Sequence, residues 1–453
     1  MALGKRGTDQ QQEFWVSAVD LPKAPGHPFY MKLNELLAEA DFDSWVEGLC
    51  EEFYANGKGR PSIPPGVYFR MLLVGYFEGL GSQRGIAWRC SDSLSVRSFL
   101  GIPLAESSPE HSSLTRVRKR LPLEVHEEVF KFVLRIAIDK KLLKGKTVAV
   151  DATTLEANAA MKSIGRKDTG ENYQEYLRRL AKEEGIEDPT DEELRRFDKK
   201  RKGKKVPNKE WRSSTDPDSR IIKMKDGRTH LAYKAENTVD LETDMVLSAD
   251  VYHGDHADND TVTTSVVHAQ NSLIDCESEV SIEELVADKG YHKAETLSDA
   301  RAMGLRTYVP EPASKHKRRW TDKPPEYKEA VYANRRRVRG SRSKKLQRLR
   351  SEYVERTFAH MCETGDGRRT WLRGLEKVKK RYVIQAAARN LGVILRKLFG
   401  MATPRGLQKG LDPVFGQLLA ALSAMIAIQR RHEVDPAFHR LDDDGSAFAI
   451  VAA

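Results

Sequence analysis

Three acidic side chains stand out for the chemistry they can do together. Asp151 closes the run Thr147-Val148-Ala149-Val150, Asp288 closes Leu285-Val286-Ala287, and Glu355 lies between Val354 and Arg356 in a stretch of helical spacing. A carboxylate at the C-terminal end of a buried-type strand faces the crevice where α/β sheets bind ligands. Taken singly, either aspartate also reads as a cap or turn residue, and a glutamate among arginines as a surface ion-pair partner. As a set they suit another task. Two divalent cations about 3.5–4 Å apart clamp the attacking and leaving oxygens of an in-line phosphoryl displacement, and hard carboxylate oxygens suit Mg²⁺, with Mn²⁺ as the alternative. Nearby cations are expected to hold the acids ionised, which predicts activity at neutral pH.

The elements that must position these acids follow from the pattern. Residues 147–151 read as a short buried strand, 230–240 and 245–251 as a hairpin around Leu241-Glu242-Thr243-Asp244, and 284–288 and 307–309 as two further strands. Leu346, Leu349, Tyr353, Phe358 and Met361 recur at helical spacing and predict the buried stripe of a long helix that carries Glu355. Helices fall between the strands, so this half reads as a mixed α/β domain. Residues 29–143 read as helical. Ile63-Pro64-Pro65-Gly66 opens one helix, 112–120 form a short basic one, and Gly79-Leu80-Gly81-Ser82 joins two more in a turn compatible with a helix-turn-helix or with plain helical packing. Residues 375–399 read as a basic amphipathic helix. An apolar helix at 414–428 reads as a contact surface or as packing against its own chain.

Charge narrows the partners. Lys and Arg total 76 against 66 acids, giving a net charge of +10 and a pI near 9.2, which favours polyanions, nucleic acid ahead of a membrane surface. Residues 315–350 hold 15 Lys/Arg against three acids, a local excess larger than that of the whole chain, so this segment reads as the electrostatic footprint. A second run, 199–205, closes a polar stretch at 166–212 that reads as a surface insertion, with a helix starting at 189–193. The lysines of that run read as DNA contacts or as a solvated face.

The longest apolar stretch contains Gln417 and Ser423 and is too short to span a bilayer, and the first residues lack an apolar signal core. The four cysteines are widely spaced, so a reducing cytoplasm is expected, without a disulfide framework or a Cys-based zinc site. His253-Gly254-Asp255-His256-Ala257-Asp258 mixes imidazole with carboxylate. It reads as a solvated turn rather than a zinc set, at the active-site edge where it can support the acids. Trp320 and Trp371 flank the glutamate region and read as core anchors, with stacking on an unpaired base as the functional alternative.

Val148-Ala149-Val150-Asp151-Ala152-Thr153-Thr154-Leu155, Ala287-Asp288-Lys289-Gly290-Tyr291 and Tyr353-Val354-Glu355-Arg356-Thr357-Phe358 resemble the three acidic motifs of bacterial insertion-sequence transposases of the DDE type. The resemblance runs over about residues 29–400, and 59–123 resemble the helical domain that precedes the catalytic one in many such elements. It implies a ribonuclease-H-like mixed sheet flanked by helices, preceded by an all-helical N-terminal domain. The implied organisation is a tail at 1–28, a helical DNA-binding domain at 29–143, a catalytic domain at 144–400 with its insertion at 166–212, and a C-terminal helix and tail at 401–453.

By that resemblance Asp151, Asp288 and Glu355 are the catalytic triad and the ligands of two Mg²⁺ ions, or Mn²⁺. The implied reaction nicks double-stranded DNA at terminal inverted repeats and joins the freed end to target DNA. The implied assembly is a homodimer on DNA in the bacterial cytoplasm, associated with the nucleoid. Many relatives place Tyr, Arg and Lys seven before, four before and seven after the glutamate. Here those positions are Arg348, Ser351 and Cys362, so phosphate contacts fall instead to Lys289, Arg348, Arg356, Arg368, Arg369 and Arg373. Two other readings stay open: a ribonuclease-H-like nuclease that does not rejoin ends, and a catalytically silent or domesticated DNA-binding protein.

Overall fold

The computed structural model describes residues 26–55, 62–200, 208–223, 227–313 and 318–408. Helices come first: α1 (Pro28–Glu39), α2 (Phe42–Cys50), α3 (Pro65–Phe77), α4 (Gln83–Asp92), α5 (Leu94–Phe99), α6 (His111–Arg120) and α7 (Leu123–Asp139). Pro65 opens α3, where a missing N–H costs nothing because that donor has no partner within the helix. Gly79, at φ 63°, closes it, and the Leu80 amide bonds back to the Gly75 carbonyl at 2.7 Å. Ser82 then caps α4 by accepting from the Gly85 amide at 3.0 Å. The glycine turn between two helices is therefore formed as read.

The sheet begins at β1 (Thr147–Glu156). Next come β2 (Ile164–Arg166), α8 (Tyr173–Glu183), α9 (Asp191–Lys200) and β3 (Trp211–Ser213). β4 (Arg220–Lys223), β5 (Thr229–Asp240), β6 (Val246–His253) and α10 (Asp258–Asp275) follow, then β7 (Glu284–Val286), α11 (Ala294–Ala302) and β8 (Arg306–Tyr308). The chain continues through α12 (Pro325–Val338), α13 (Ser341–Ala359), α14 (Leu375–Phe399) and α15 (Pro404–Gln408). The main sheet has six strands in the order β4-β5-β1-β7-β8, with β6 pairing β5 beyond β4. β5 runs antiparallel to β1, β4 and β6, whereas β1, β7 and β8 are parallel. This is the mixed, ribonuclease-H-like sheet that the sequence implied.

Two expectations are corrected. The first strand does not stop at Asp151: β5 is long enough to pair with β1 from Val148 to Glu156, so Asp151 lies inside a ten-residue strand. α14 is not amphipathic. It is buried nearly all round from Tyr382 to Leu395, because it packs between α7 and α3 on one side and β6 on the other. Its polar residues serve that position: Asn390 exchanges two hydrogen bonds with the Val246 backbone, at 2.8 and 2.9 Å, and Tyr382 donates to Asn237 at 3.0 Å. One apolar core consequently runs from α1 through the sheet to α14.

The polar insertion has a closed neck. β2 and β3 pair Arg166 with Trp211, and between them α8 and α9 bury a small cluster of their own, Leu177, Ala181 and Leu194. The helix start at 189–193 is a reciprocal cap between Thr190 and Glu193. Of the lysine run, 201–205 lie outside the described residues, as do the apolar helix at 414–428 and the tail that follows it. No helix among the described residues is long and apolar enough to cross a membrane.

Candidate active site

The register of two parallel strands sets the geometry. β7 accompanies β1 only as far as the pair Ala149↔Val286, and Asp151 and Asp288 each stand two residues beyond it. Equal offsets on adjacent parallel strands put side chains at one level and on one face. Asp151 is half-buried; its Oδ1 accepts from the Ala152 amide and its Oδ2 from Arg350 Nη1, both at 2.8 Å. Asp288 Oδ1 accepts from the Gly290 amide at 2.7 Å and so caps a single 3-10 turn, Lys289–Tyr291.

A further carboxylate joins them. Asp258 opens α10, and a Cβ placed on Gly290 would stand 3.1 Å from Asp258 Oδ2 and 3.0 Å from Asp288 Oδ1. Burial raises Asp151 above the ordinary aspartate value, and the negative charges of Asp288 and Asp258 add to that, while the Ala152 amide and Arg350 oppose it. For Asp151 desolvation outweighs its one close arginine.

The wall behind this cluster is a buried polar network. Lys234, 7% exposed, bonds Thr261 at 2.8 Å, Asp258 at 2.9 Å and Glu236 at 3.2 Å. Glu236, fully buried, accepts from Ser265 at 2.6 Å, Thr261 at 2.8 Å and Tyr291 at 3.1 Å. A buried carboxylate needs such satisfaction to stay in place. Burial raises Glu236, and burial together with Glu236 drives the Tyr291 phenol far up, so Tyr291 serves as a donor.

α13 is fastened to the sheet along its first half. Arg342 bonds Glu284 on β7 at 2.5 and 3.1 Å, Gln347 donates to the Ala287 and Tyr308 carbonyls at 3.2 and 2.7 Å, and Arg350 reaches Asp151. Leu346 and Met361 are buried, Leu349, Tyr353 and Phe358 partly so, and Val354 completes the stripe. Glu355 is exposed and has no hydrogen-bond or ion-pair partner among the described residues. Seven residues on, past the end of α13, the chain turns through a π-helical segment, His360–Thr364, that contains Cys362. Cys362 lines an open cleft with Ala152, Thr153, Thr154, Lys234, Asp258 and others.

Among the described residues, no three His, Cys, Asp or Glu side chains converge to hold a metal ion. The donor set nonetheless fits hard cations: every donor is a carboxylate oxygen, and a bound cation relieves the repulsion between Asp151 and its two acidic neighbours.

The basic residues separate into two groups. Lys289 and Arg348 are exposed, with no ion pair among the described residues. Arg356 pairs with Glu352 at 2.5 Å and Asp244 at 3.6 Å, Arg368 with Glu363 at 3.4 Å, Arg369 lies over the Trp371 ring, and Arg373 donates to the Asn158 carbonyl at 3.2 Å. The segment 315–350 is not a uniform footprint. Arg318 and Arg335 pair with Glu311, Arg337 bonds Thr307, Arg342 pairs with Glu284 and Arg350 with Asp151. Arg336, Arg339, Lys344, Lys345 and Arg348 keep their charge on the surface.

His253 bonds the Asp218 carbonyl at 2.7 Å and its ring lies parallel to that of His256; the last residue of this loop, Asp258, stands beside Asp288. Trp320 packs against Tyr332 as an anchor, but Trp371 is 49% exposed and does not. Lys234, Glu236, Tyr291 and Arg350 were given no role by the sequence reading, which placed the loop ending in Asp258 at the active-site edge without singling out that acid. The signal for Asp258 was its acidic position in the first turn of a helix after a strand; Arg350 had none to distinguish it from the arginines around it.

Residues 20–120 match a family model described as a transposase domain, and residues 311–395 match one described as a transposase DDE domain. The second match contains Glu355, whereas Asp151 and Asp288 lie between the two. No curated protein matches the chain.

Proposed function

The chain belongs to the insertion-sequence transposases of the DDE type, and on that premise we propose that it binds the terminal inverted repeats of its element and catalyses strand cleavage and strand transfer. The observation that carries this reading is the placement of Asp151 and Asp288 at equal offsets beyond the last pair of two parallel strands, with Asp258, which lines an open cleft, beside Asp288. Asp151, Asp288 and Glu355 would hold two Mg²⁺, which would supply activation of the attacking oxygen and stabilisation of the leaving one. The Ala152 amide and the Gly290 amide fix the two aspartate carboxylates. Lys289 and Arg348 flank the acids and contact the phosphates on either side of the scissile bond. The exposed cations of α12 and α13 carry the DNA backbone, and 29–143 contribute the end-binding helices. Two ends demand two active sites, so the working unit is a homodimer on DNA in the bacterial cytoplasm.

Mg²⁺-dependent nicking of a labelled duplex carrying the element's own terminal repeat tests the assignment. Asp151→Ala, Asp288→Ala and Glu355→Ala are each expected to retain DNA binding and to lose nicking by at least about 10³-fold, the scale of a lost transition-state charge partner. Nicking that persists in any of the three overturns the triad. Joined products with target DNA separate a transposase from a nuclease that does not rejoin ends. Binding is expected to fall with salt with a log–log slope of about −0.9 per phosphate neutralised.

A further inference from the structure

Two ordinary duties account for one half of the Asp258 carboxylate. It stands in the first turn of α10, where a negative charge favours the helix N-terminus, and its Oδ1 pairs with the buried ammonium of Lys234 at 2.9 Å. Its other oxygen, Oδ2, has no hydrogen-bond or ion-pair partner among the described residues. Gly290 lies against that oxygen. A Cβ at Gly290 would stand 3.1 Å from Asp258 Oδ2 and 3.0 Å from Asp288 Oδ1, so the space between the two carboxylates is kept by the one residue without a side chain.

Carboxylates held that close repel unless a cation comes between them. Burial raises Asp151, and the charges of Asp288 and Asp258 raise it further, so the three acids share one neighbourhood. Four carboxylates, Asp151, Glu236, Asp258 and Asp288, are served there by two cations, Lys234 and Arg350. Fully ionised, the set carries an excess of two negative charges, the charge of one divalent cation. Glu236 is no candidate for holding it, because its side chain is fully buried and takes donors from Ser265, Thr261 and Tyr291. Asp258 is open to it: the side chain is 44% exposed and lines the same cleft as Ala152 and Thr153. A hard cation that keeps several waters and takes one or two carboxylates fits a half-exposed pair of this kind.

Resting on the transposase reading, we propose that Asp258 is a fourth acid of the metal centre, its Oδ2 holding a divalent cation together with Asp288, and that Lys234 positions it by fixing Oδ1. The first measurement is Mn²⁺ binding to the DNA-free protein by electron paramagnetic resonance, so that cleavage plays no part. Asp258→Asn, an isosteric change at a half-exposed position, is expected to weaken Mn²⁺ by at least about tenfold, and Lys234→Met by roughly tenfold through the lost orientation of the carboxylate. A second measurement reports contact with the metal itself. In a Cys362→Ser background, which removes the native thiol of the cleft, Asp258→Cys puts a soft thiolate in place of the hard oxygen and is expected to give a thiolate-to-metal charge-transfer band with Cd²⁺. Asp260→Cys, exposed in the same helical turn, is expected to give none.

Mn²⁺ affinity within about twofold of wild type in Asp258→Asn overturns the proposal. So does a missing Cd²⁺ band in Asp258→Cys, or an equal band in Asp260→Cys. Asp288→Ala separates this test from that of the transposase reading. Mn²⁺ binding lost in Asp288→Ala but kept in Asp258→Asn removes only the fourth acid, whereas binding kept in both overturns the metal centre as a whole.

Discussion

The two strand-borne aspartates and the helix-borne glutamate are held in opposite ways. Asp151 and Asp288 stand at equal offsets beyond the last pair of β1 and β7, each with a backbone amide on its carboxylate, and a buried wall of Lys234, Glu236 and Tyr291 lies behind them. Glu355 projects from a helix whose polar fastenings to β7, β8 and β1 end at Arg350, and nothing among the described residues holds its carboxylate. Strand register fixes a side chain through many backbone hydrogen bonds, whereas an exposed helical side chain keeps its rotamer freedom until a ligand takes it. The difference assigns two stages to the proposed site: a preformed pair of aspartates, and a third acid recruited when cation and DNA arrive.

Cation binding gives the sharpest test of that division. Removing any one acid is expected to abolish nicking, but Mn²⁺ binding to the DNA-free protein, followed by electron paramagnetic resonance, is expected to vanish in Asp151→Ala and Asp288→Ala and to survive in Glu355→Ala. Equal loss in all three means the triad is already closed without DNA.

Gly290→Ala comes next in size. Its new Cβ meets Asp288 Oδ1 and Asp258 Oδ2 at 3.0 and 3.1 Å, so both carboxylates must shift by a few tenths of an ångström. A drop in nicking rate of roughly 10- to 100-fold with the fold intact is expected, on the scale of misplaced catalytic groups. A rate within about twofold of wild type would mean that the turn adjusts freely.

A smaller effect is a pH dependence of stability. Burial raises Asp151, so the folded protein keeps that proton to higher pH than the unfolded chain does. The stabilisation this represents is present below the ordinary aspartate value, about 3.9, and is lost as pH rises through the folded value. In metal-free buffer the Tm of Asp151→Asn relative to wild type is therefore expected to climb from pH 3.5 towards neutrality, and a difference independent of pH would refute it. Smallest of all, Glu355→Gln is expected to leave unfolding free energy within about 0.5 kcal/mol of wild type, as for other exposed substitutions. A larger change in chemical denaturation would show that Glu355 has a structural partner.

Much of this arrangement was legible in the residues. The hairpin, the parallel strands, the buried stripe of α13 and the polar insertion all follow from local periodicity and turn chemistry. Three things were not. β1 runs on past Asp151 because β5 is there to pair with it, and its sequence beyond that point is too polar to announce a strand. α14 shows charges at Lys380, Arg381 and Arg389 that read as a wet face, yet tertiary packing buries most of that face and gives the charges partners. The fourth acid, Asp258, looked like a turn residue because nothing in its own segment reveals that Lys234 and Gly290 lie opposite.

The sequence by itself determined the kinds of elements, the acids that follow the apolar strand cores and the excess of positive charge, since each depends on neighbours a few positions away. Only the tertiary structure decided which arginines pair with Glu284, Glu311 and Asp151, which are left for a polyanion, and that a cationic cavity lies between α14 and the first helices. Those outcomes depend on contacts between segments far apart in the chain, and the balance of desolvation against pairing that settles them exists only once the segments have packed.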